Sequence, residues 1–468
     1  MDNPNFLDPI FHPKAIAVIG ASNQVEKWGY RMVARPSNTG FRGMIYPVNP
    51  NAKEVAGLKT FAKIPDLPQD IDLAVFTLPA PQVPQALRQC LQHGIRGALV
   101  ISAGFAEAGP EGEKLQEELT GIAAQARIPL VGPNCMGLWS APVNLNLAFD
   151  DPPNRGSITF ISQSGTLGNY LMLLAKAKGY GFHCFVSSGN QALLEVTDYL
   201  EYFGDDERTR AIILYIEGLQ DAGRFFRVSK EVIRKKPIVL YKAGRFEVGA
   251  RAALSHTASL AGNDQIFEGL CRQAGLIRCY DPLHTCDMAM ALASQPLPKS
   301  NRVAIISGGG GYCVTMAETA VTWGLDVPTL DPTASEKIRK ILLPFAPLPL
   351  NPVDGAADVR PMTYARALEI LAGLDYIDGI LMMIPFMFPL QLRSPASIRE
   401  LMDATEIVCG LPGRFHKPII GNTTPIGNAG PAPDLFKRAG IPFYATQDES
   451  ARAMHALVRY ARTLATRG

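Results

Sequence analysis

Short, continuous apolar runs recur along the chain, and each is followed by glycine, serine, proline or another polar residue. The N-terminal part contains five of these runs, at 14–20, 43–48, 71–78, 97–102 and 128–131. Helix-like segments at 83–93 and 111–126 lie between the later runs. A continuous apolar run is typical of a strand buried on both faces, and strands that alternate with helices predict a doubly wound parallel sheet. Ligands bind such sheets at the carboxyl ends of the strands.

The same alternation starts again twice. The second series of runs lies at 157–161, 182–186, 210–216 and 237–241. It follows a segment at 138–154 that we interpret as a loop and linker. A third series begins at 302–307, after the proline-containing segment 295–301. Its glycine-rich turn and helix match the turn and helix after 157–161 in type and placement, which indicates a weak internal repeat.

The length of the chain agrees with three series of strands. A chain of 468 residues has room for roughly three domains of about 150 residues each. We therefore predict an α/β protein with domains at 1–140, 150–297 and 301–468. The first is expected to be Rossmann-like, and the second and third are expected to be flavodoxin-like parallel-sheet domains.

Composition narrows the class of protein. The net charge of +2 gives no indication of a nucleic-acid partner. No apolar run reaches the ~20 residues that a bilayer-spanning helix needs, and the acidic N-terminus lacks the apolar stretch of a secretion signal. The eight cysteines form no C-x-x-C pair and no grouping with histidine. We therefore expect reduced thiols, no metal site and a cytoplasmic protein.

The first two strand ends of the chain favour a phosphorylated adenosine ligand. The turn after the first run reads V-I-G-A-S (18–22) and lacks the G-x-G-x-x-G spacing of a dinucleotide site. The end of the second strand offers Val48, Asn49 and Pro50, with Lys53 close behind, where a NAD site has an acidic residue. Coenzyme A, with a diphosphate and a 3′-phosphate, fits this pattern better than NAD. The alternative is that Lys53 is an ordinary solvated lysine.

Three features of the second series suggest phosphate chemistry. The turn Ser162–Thr166 opens a helix, and a helix N-terminus binds anions through its backbone amides. Glu217 stands at the tip of a buried strand, beside a glycine. His256 lies among small and hydroxyl residues, which leave an imidazole accessible. Each has a plainer interpretation, for Glu217 a solvated strand-end acid and for His256 a surface-loop histidine before a helix.

Taken together, the motifs resemble the α subunit of NDP-forming acyl-CoA synthetases, the family of ADP-forming acetyl-CoA synthetase that is related to succinyl-CoA synthetase. The resemblance covers nearly the whole chain. It rests on V-I-G-A-S (18–22), Y-P-V-N-P-N-A-K (46–53), I-S-A-G-F-A-E-A-G (101–109), G-P-N-C-M-G (132–137), S-Q-S-G-T-L-G (162–168), S-S-G-N-Q (187–191), L-Y-I-E-G (214–218), S-H-T-A-S-L-A-G (255–262) and N-P-V-D (351–354).

The resemblance implies a role for each motif. It implies that His256 becomes a phosphohistidine and that Glu217 steadies its ring. Phosphate and the carboxylic acid are expected at Ser162, Gln163, Ser164, Gly165, Thr166, Gly189, Asn190 and Gln191. Coenzyme A is expected at Gly20, Ala21, Ser22, Val48, Asn49, Pro50, Lys53, Leu78, Pro79, Ser102, Ala103, Gly104 and Asn134.

The chain also departs from the family pattern. Ala258 stands where the family usually has glycine in S-H-T-G-S, and the third domain has S-G-G-G-G where an N-A-G-G-type loop is common. No ATP-grasp region, the nucleotide-binding part of this family, is recognised along the sequence. ATP or ADP and Mg²⁺ are therefore expected through a separate ATP-grasp β subunit, in a heterotetramer by resemblance. The alternative function is a non-catalytic module that senses coenzyme A or acyl-CoA; an NAD oxidoreductase is disfavoured by the second strand end.

Overall fold

The computed structural model describes residues 5–249, 263–383, 394–423 and 432–466. The chain forms two compact units, Met1–Cys286 and Asp287–Gly468. The first unit contains two main sheets, and the second unit contains one. None of the described helices is both long enough and apolar enough to cross a membrane.

The first sheet is parallel, and its strands are buried except for the first residues of the strand Met44–Val48. Its region contains β1 Ala15–Ile19, β2 Met44–Val48, the hairpin strands β3 Glu54–Val55 and β4 Leu58–Lys59, and then β5 Leu73–Phe76, β6 Gly97–Val100 and β7 Leu130–Val131. The sheet order is β2-β1-β5-β6-β7, and β3 pairs only with β4. The α-helices around it are Asp8–Phe11, Trp28–Asn38, Val83–Gln92 and Pro110–Ala126, and short 3-10 turns lie at Ile64–Asp66, Ala80–Gln82 and Ala106–Ala108.

The second sheet is larger and is mixed at one edge. Its strands continue the chain order as β8 Leu138–Ser140, β9 Leu145–Asn146, β10 Asn154–Ser162, β11 Gly181–Ser187, β12 Ala211–Ile216, β13 Ile238–Lys242 and β14 Ile277–Cys279, and a 3-10 turn at Ala141–Val143 separates β8 from β9. The order is β14-β13-β12-β10-β11-β8-β9. The helices are Gly165–Ala177, Val196–Asp205, Ala222–Val232 and Asp264–Ala274, and His284–Ser294 runs across the boundary between the two units.

The segment 138–154 is not the plain linker that its sequence indicated. β8 pairs antiparallel with β11, and β9 pairs antiparallel with β8. Leu138 and Trp139 are buried against that edge. Strands of two and three residues, separated by a 3-10 turn, carry too short a pattern to stand out in a sequence. They form because β11 offers a free edge for hydrogen bonding.

The third sheet belongs to the second unit and has a core of its own. Its strands are β15 Val303–Ser307, β16 Val353–Asp354, β17 Gly379–Met383, β18 Ile419–Asn422 and β19 Phe443–Tyr444, in the order β16-β15-β17-β18-β19. Its helices are Gly310–Thr322, Pro332–Arg339, Pro361–Ala372, Pro395–Phe415, Ala432–Arg438 and Gln447–Ala465. Buried aliphatic residues of these helices pack on β15 and β17.

The parallel strands of all three sheets share one order, in which the second strand lies outside the first and the third to fifth follow on the other side. The predicted α/β class of parallel-sheet domains is confirmed, and the third sheet repeats the order of the second. In this topology the connections leave the first strand in opposite directions, which opens a crevice at its carboxyl end. In the first unit these crevices lie beyond β1 and β5, and beyond β10 and β12. The domain limits at 1–140, 150–297 and 301–468 stay a prediction.

Candidate functional site

A cavity of about 550 Å³ opens at the carboxyl ends of β1, β2 and β5. Many of the residues predicted to contact coenzyme A line it together: Gly20, Ala21, Ser22, Val48, Asn49, Pro50, Leu78 and Pro79. The topology explains this grouping, because neighbouring parallel strands end at the same edge of a sheet. The predicted residues Ser102, Ala103, Gly104 and Asn134 do not line this cavity.

Asn49 fixes the shape of the cavity wall. Its Nδ2 donates to the carbonyl oxygen of Ala21 at 2.6 Å, which ties the end of β2 to the turn after β1. Its Oδ1 accepts from the backbone amides of Asn51 and Ala52 at 2.7 and 2.9 Å. One side chain thus caps its own turn and holds the neighbouring turn, as asparagine does well because its amide both donates and accepts.

Two glycines let the helix Trp28–Asn38 start close to the turn after β1. Gly20 has a φ of +93°, in the left-handed region that favours glycine. A Cβ on Gly29 would lie 2.2 Å from the carbonyl oxygen of Gly20, so any larger residue would push the helix Trp28–Asn38 away from the turn. The close approach points the N-terminus of this helix at the cavity, which suits an anion.

The charges at the cavity are positive. Lys27 and Lys63 line it, and no aspartate or glutamate is among its lining residues in the described parts of the chain. Lys53, the lysine chosen from the sequence, is exposed and does not line the cavity. It lies beside the hairpin β3–β4, where its carbonyl oxygen accepts from the amide of Thr60 at 3.1 Å.

The second predicted site forms at the ends of β10 and β12. Ser164 caps the helix Gly165–Ala177, and its side chain accepts from the amide of Leu167 at 3.3 Å. Gln163 bridges to the next strand end, donating from Nε2 to the carbonyl oxygen of Gly218 at 2.7 Å and accepting from the amides of Gly218 and Glu217. The structure therefore brings Ser162–Thr166 and Glu217 together, as the sequence predicted.

A buried lysine supports the same strand end. Lys242, the last residue of β13, donates from Nζ to the carbonyl oxygens of Glu217 and Ala243 at 2.9 and 2.7 Å. Burial lowers the pKa of Lys242, although Asp264 opposes the shift. The Glu217 turn is thus held from both sides, by Gln163 through β10 and by Lys242 through β13. Glu217 itself is buried, with 8% of its surface exposed.

The predicted phosphohistidine, His256, lies outside the described residues. The described residues before and after His256 belong to one strand and the helix that follows it in the second sheet region. β13 ends at Lys242, and the helix Asp264–Ala274 begins after Asn263, whose side chain accepts from the amides of Gln265 and Ile266. The preceding chain thus leaves the sheet next to the Glu217 turn, which Lys242 contacts, and Arg245 Nε lies 3.9 Å from Asp264 Oδ2 at the start of the following helix.

Several of the remaining predicted residues form a third group, between the two sheets of the first unit. Asn190 Nδ2 donates to Gln116 Oε1 at 3.0 Å and to Glu107 Oε2 at 2.5 Å, and Asn134 Nδ2 donates to Asn190 Oδ1 at 3.2 Å. Gly189 packs closely against the chain at Pro133 and Asn134: a Cβ on Gly189 would lie 2.2 Å from the carbonyl oxygen of Pro133. Asn134, Gly189 and Asn190 thus join the first sheet to the sheet that carries Glu217, whereas Gln191 bonds within the second-sheet region, to Ser188 and the amide of Val196.

Glu107 is part of this group and was not selected from the sequence. Burial acts to raise the pKa of its carboxyl group. The hydrogen bonds from Asn190 and from the amide of Gly104 outweigh burial and hold the pKa below its usual value. The Gly104 amide donates to Glu107 Oε1 at 2.6 Å. Glu107 stands inside the motif I-S-A-G-F-A-E-A-G, so the motif itself was the available signal.

Sequence reasoning also missed cavity residues that come from outside the strand-end motifs. Lys27, Lys63, Thr77 and Gln89 line the cavity. Thr77 was within reach, because it directly precedes Leu78 in the predicted third strand. Gln89 comes from the middle of the helix Val83–Gln92, and no sequence pattern distinguishes it from other polar helix residues.

Comparison with known families and proteins agrees with this arrangement. Residues 14–140 match the family described as "CoA binding domain", and residues 155–292 match "Succinyl-CoA ligase like flavodoxin domain". The first match contains the cavity, and the second contains Ser162–Thr166 and Glu217.

Two of the following matches span nearly the whole chain and therefore include the third sheet as well. The chain is 37% identical to acetate–CoA ligase (ADP-forming) II subunit alpha of Pyrococcus furiosus, over 98% of both chains. It is 40% identical to acetate–CoA ligase (ADP-forming) of Methanocaldococcus jannaschii, over 75% of this chain and 49% of that one. The solved dinucleotide-forming acetyl-coenzyme A synthetase 1 of Ca. Korarchaeum cryptofilum, in complex with phosphate and ADP, superposes with a TM-score of 0.87, 32% identity and 98% coverage of both chains.

Proposed function

The chain belongs to the family of ADP-forming acetate–CoA ligases, which are acid–thiol ligases, and we propose that it is the α subunit of an ADP-forming acyl-CoA synthetase. Such an enzyme interconverts acyl-CoA, ADP and phosphate with a carboxylic acid, coenzyme A and ATP. The chain corresponds to nearly all of the Pyrococcus furiosus α subunit but to about half of the Methanocaldococcus jannaschii chain. The activity of the complete enzyme is therefore proposed for this chain together with a partner.

One observation carries the proposal. Gln163 connects the helix-opening turn Ser162–Thr166 to the turn that bears Glu217, and the next strand leads towards His256. A helix N-terminus that binds an anion, a carboxylate and a histidine are the groups needed to move a phosphoryl group. In the same compact unit, the cavity at β1, β2 and β5 offers lysines and an amide-rich turn to coenzyme A.

In the ATP-forming direction, the reaction proceeds in three transfers. A phosphate oxygen attacks the thioester carbon, the C–S bond breaks, and coenzyme A leaves as a thiolate while an acyl phosphate forms. A ring nitrogen of His256 then attacks the phosphorus, the P–O bond to the acyl group breaks, and the carboxylate leaves. Finally, an oxygen of the ADP β-phosphate takes the phosphoryl group, the P–N bond breaks, and ATP is formed.

The residues around His256 have separate roles in this proposal. Glu217 accepts a hydrogen bond from one ring nitrogen, which leaves the lone pair of the other nitrogen free to attack. The amides that follow Ser164 stabilise the phosphate charge at the start of the helix. The carboxylic acid is placed between Ser162–Gly165 and Ser187–Gln191, close to the thiol end of coenzyme A and to His256.

The nucleotide is assigned to a partner. We propose a separate ATP-grasp β subunit that binds ADP or ATP with Mg²⁺, in a heterotetramer with this chain. We also propose that the enzyme is cytoplasmic, which the eight free cysteines, seven of them buried, support. Acetate is the first acid to test, because it is the acid in the names of the relatives described above.

Reconstitution tests this proposal. The full chain is mixed with an ATP-grasp β subunit, ATP, Mg²⁺, coenzyme A and a panel of small carboxylic acids, and acyl-CoA and ADP are measured. Formation of both, in equal amounts and only with both subunits present, is the expected result. Binding of coenzyme A without turnover of any acid would instead favour the non-catalytic sensing module.

A further inference from the structure

The cavity at β1, β2 and β5 is lined by two lysines that come from different segments of the chain. Lys27 directly precedes the helix Trp28–Asn38, beside the turn after β1. Lys63 directly precedes the 3-10 turn Ile64–Asp66, on the chain that follows the hairpin β3–β4. In the described parts of the chain, neither ammonium group forms an ion pair within the structure, so both charges are available to an anionic ligand.

The segment around Lys63 is fastened to the end of β2. Phe61 forms a bridge with Val48, its amide donates to the carbonyl oxygen of Pro47 at 2.9 Å, and its carbonyl oxygen accepts from the amide of Asn49 at 2.9 Å. On the other side of Lys63, Ile64 is buried in the core of the first sheet. The backbone of Lys63 is thus fixed from both sides, next to the end of β2.

The end of β2 is the ribose end of a nucleotide site in sheets of this kind. In doubly wound folds the diphosphate lies at the turn after the first strand, and the ribose hydroxyls lie at the end of the second, where a cation accommodates a ribose phosphate. Lys27 stands at the first position and Lys63 stands at the second. Lys53 is exposed on the hairpin and does not line the cavity.

We propose that Lys63, and not Lys53, reads the 3′-phosphate of coenzyme A, while Lys27 contacts the diphosphate. The inference rests on the proposed function, because it assumes that coenzyme A occupies this cavity. It makes Lys63 the residue that distinguishes coenzyme A from ligands that carry the same diphosphate but no phosphate on the ribose.

Paired titrations test the assignment. Coenzyme A and dephospho-coenzyme A are titrated by calorimetry into the full chain and into the variants Lys63→Met, Lys53→Met, Lys27→Met and Lys63→Arg, at one fixed salt concentration. Methionine keeps an unbranched apolar side chain and removes the charge. A charge-assisted contact is worth about tenfold in affinity, so the wild type is expected to prefer coenzyme A by roughly that factor.

The variants should separate the two lysines. Lys63→Met is expected to abolish the preference for coenzyme A and to leave dephospho-coenzyme A within about twofold of the wild type, since a lone ammonium group reads only the nearby phosphate. Lys63→Arg should keep the preference. Lys27→Met should weaken both ligands alike, and Lys53→Met should change neither. Lys59→Met, an exposed lysine on the same hairpin, is the matched control for loss of charge.

Three results would overturn the inference: a preference that survives Lys63→Met, a preference lost in Lys53→Met, or a wild type that binds both ligands equally. In each case coenzyme A still binds, and the proposed function stands. A wild type that binds neither ligand would remove the proposed function as well.

Discussion

Gln163 and Gly218 form a reciprocal pair of hydrogen bonds across two strand ends. The Nε2 of Gln163 donates to the Gly218 carbonyl oxygen at 2.7 Å, and its Oε1 accepts from the Gly218 amide at 2.9 Å. A side-chain amide here continues the backbone pairing beyond the last residues of β10 and β12. The turn Ser162–Thr166 and the Glu217 turn are therefore held in one fixed relation, as the proposed phosphoryl transfer requires.

Replacing Gln163 should therefore separate phosphate transfer from ligand binding. In Gln163→Leu both hydrogen-bonding groups are lost at similar volume. A small displacement of a catalytic group costs much in rate, so we expect phosphorylation of the chain to slow by roughly 10- to 100-fold. Affinity for coenzyme A should stay unchanged, because the cavity does not include Gln163. Rapid-quench labelling and calorimetry measure the two quantities.

The exposed Gln265, in the first turn of the helix Asp264–Ala274, provides the control. Gln265→Leu should label at the wild-type rate. Equal labelling rates for Gln163→Leu and the wild type would show that the bridge between the two turns is not needed for transfer.

Substitution of Gly29 tests the close packing between the helix Trp28–Asn38 and the turn after β1 at the cavity. In Gly29→Ala the new Cβ would lie 2.2 Å from a backbone oxygen, so the helix Trp28–Asn38 must move. Overpacking of this kind costs about 1–3 kcal/mol. We expect a lower Tm and at least a severalfold weaker affinity for coenzyme A.

Gly121 is the matched helical glycine, since nothing lies within 4 Å of a Cβ placed on it. Alanine is favoured over glycine inside a helix by about 0.5–1 kcal/mol, so Gly121→Ala should keep or raise the Tm. If both substitutions behaved alike, the steric argument for Gly29 would fail.

Glu107 should give the contact between the two sheets of the first unit a dependence on acid pH. Its pKa in the folded protein lies below the usual value of 4.5. The carboxylate therefore stabilises the fold fully above pH 4.5, and this contribution disappears as the pH falls through the folded pKa. Because the group is only partly buried, we expect an effect of about 1 kcal/mol or less.

Melting curves of the wild type and Glu107→Gln at several pH values check this. The wild type should have the higher Tm at pH 7, and the two should converge as the pH falls below 4.5 and through the lowered folded-state pKa of Glu107. Glu117→Gln, an exposed change on the neighbouring helix, should show no such convergence. A gap between wild type and Glu107→Gln that is constant with pH would mean that the charge of Glu107 is not involved.

The sequence predicted the candidate site best where neighbouring parallel strands end at the same edge of a sheet. Three separate apolar runs end at or beside Gly20, Asn49 and Leu78. The strand order brings these three residues to one cavity. The sequence pattern indicates Lys53, which follows the second strand closely, whereas the structure has Lys63 lining the cavity, with the hairpin β3–β4 between the two lysines in the chain. Strands of two residues leave no periodic signal, yet they turn the chain so that a later lysine faces the cavity. In the same way, the short strand with Trp139 forms through its pairing with β11 on one side and β9 on the other.

The central claim is that His256 carries the phosphoryl group, and phosphate labelling tests it most directly. The full chain is incubated with acetyl-CoA and radiolabelled phosphate, or with its β subunit, Mg²⁺ and γ-labelled ATP, and the bound label is mapped. The account predicts a base-stable, acid-labile label on the peptide that contains His256, with no label in His256→Ala and wild-type coenzyme A affinity in that variant. A wild type that takes up no label under either condition, or a label that persists in His256→Ala, would contradict it.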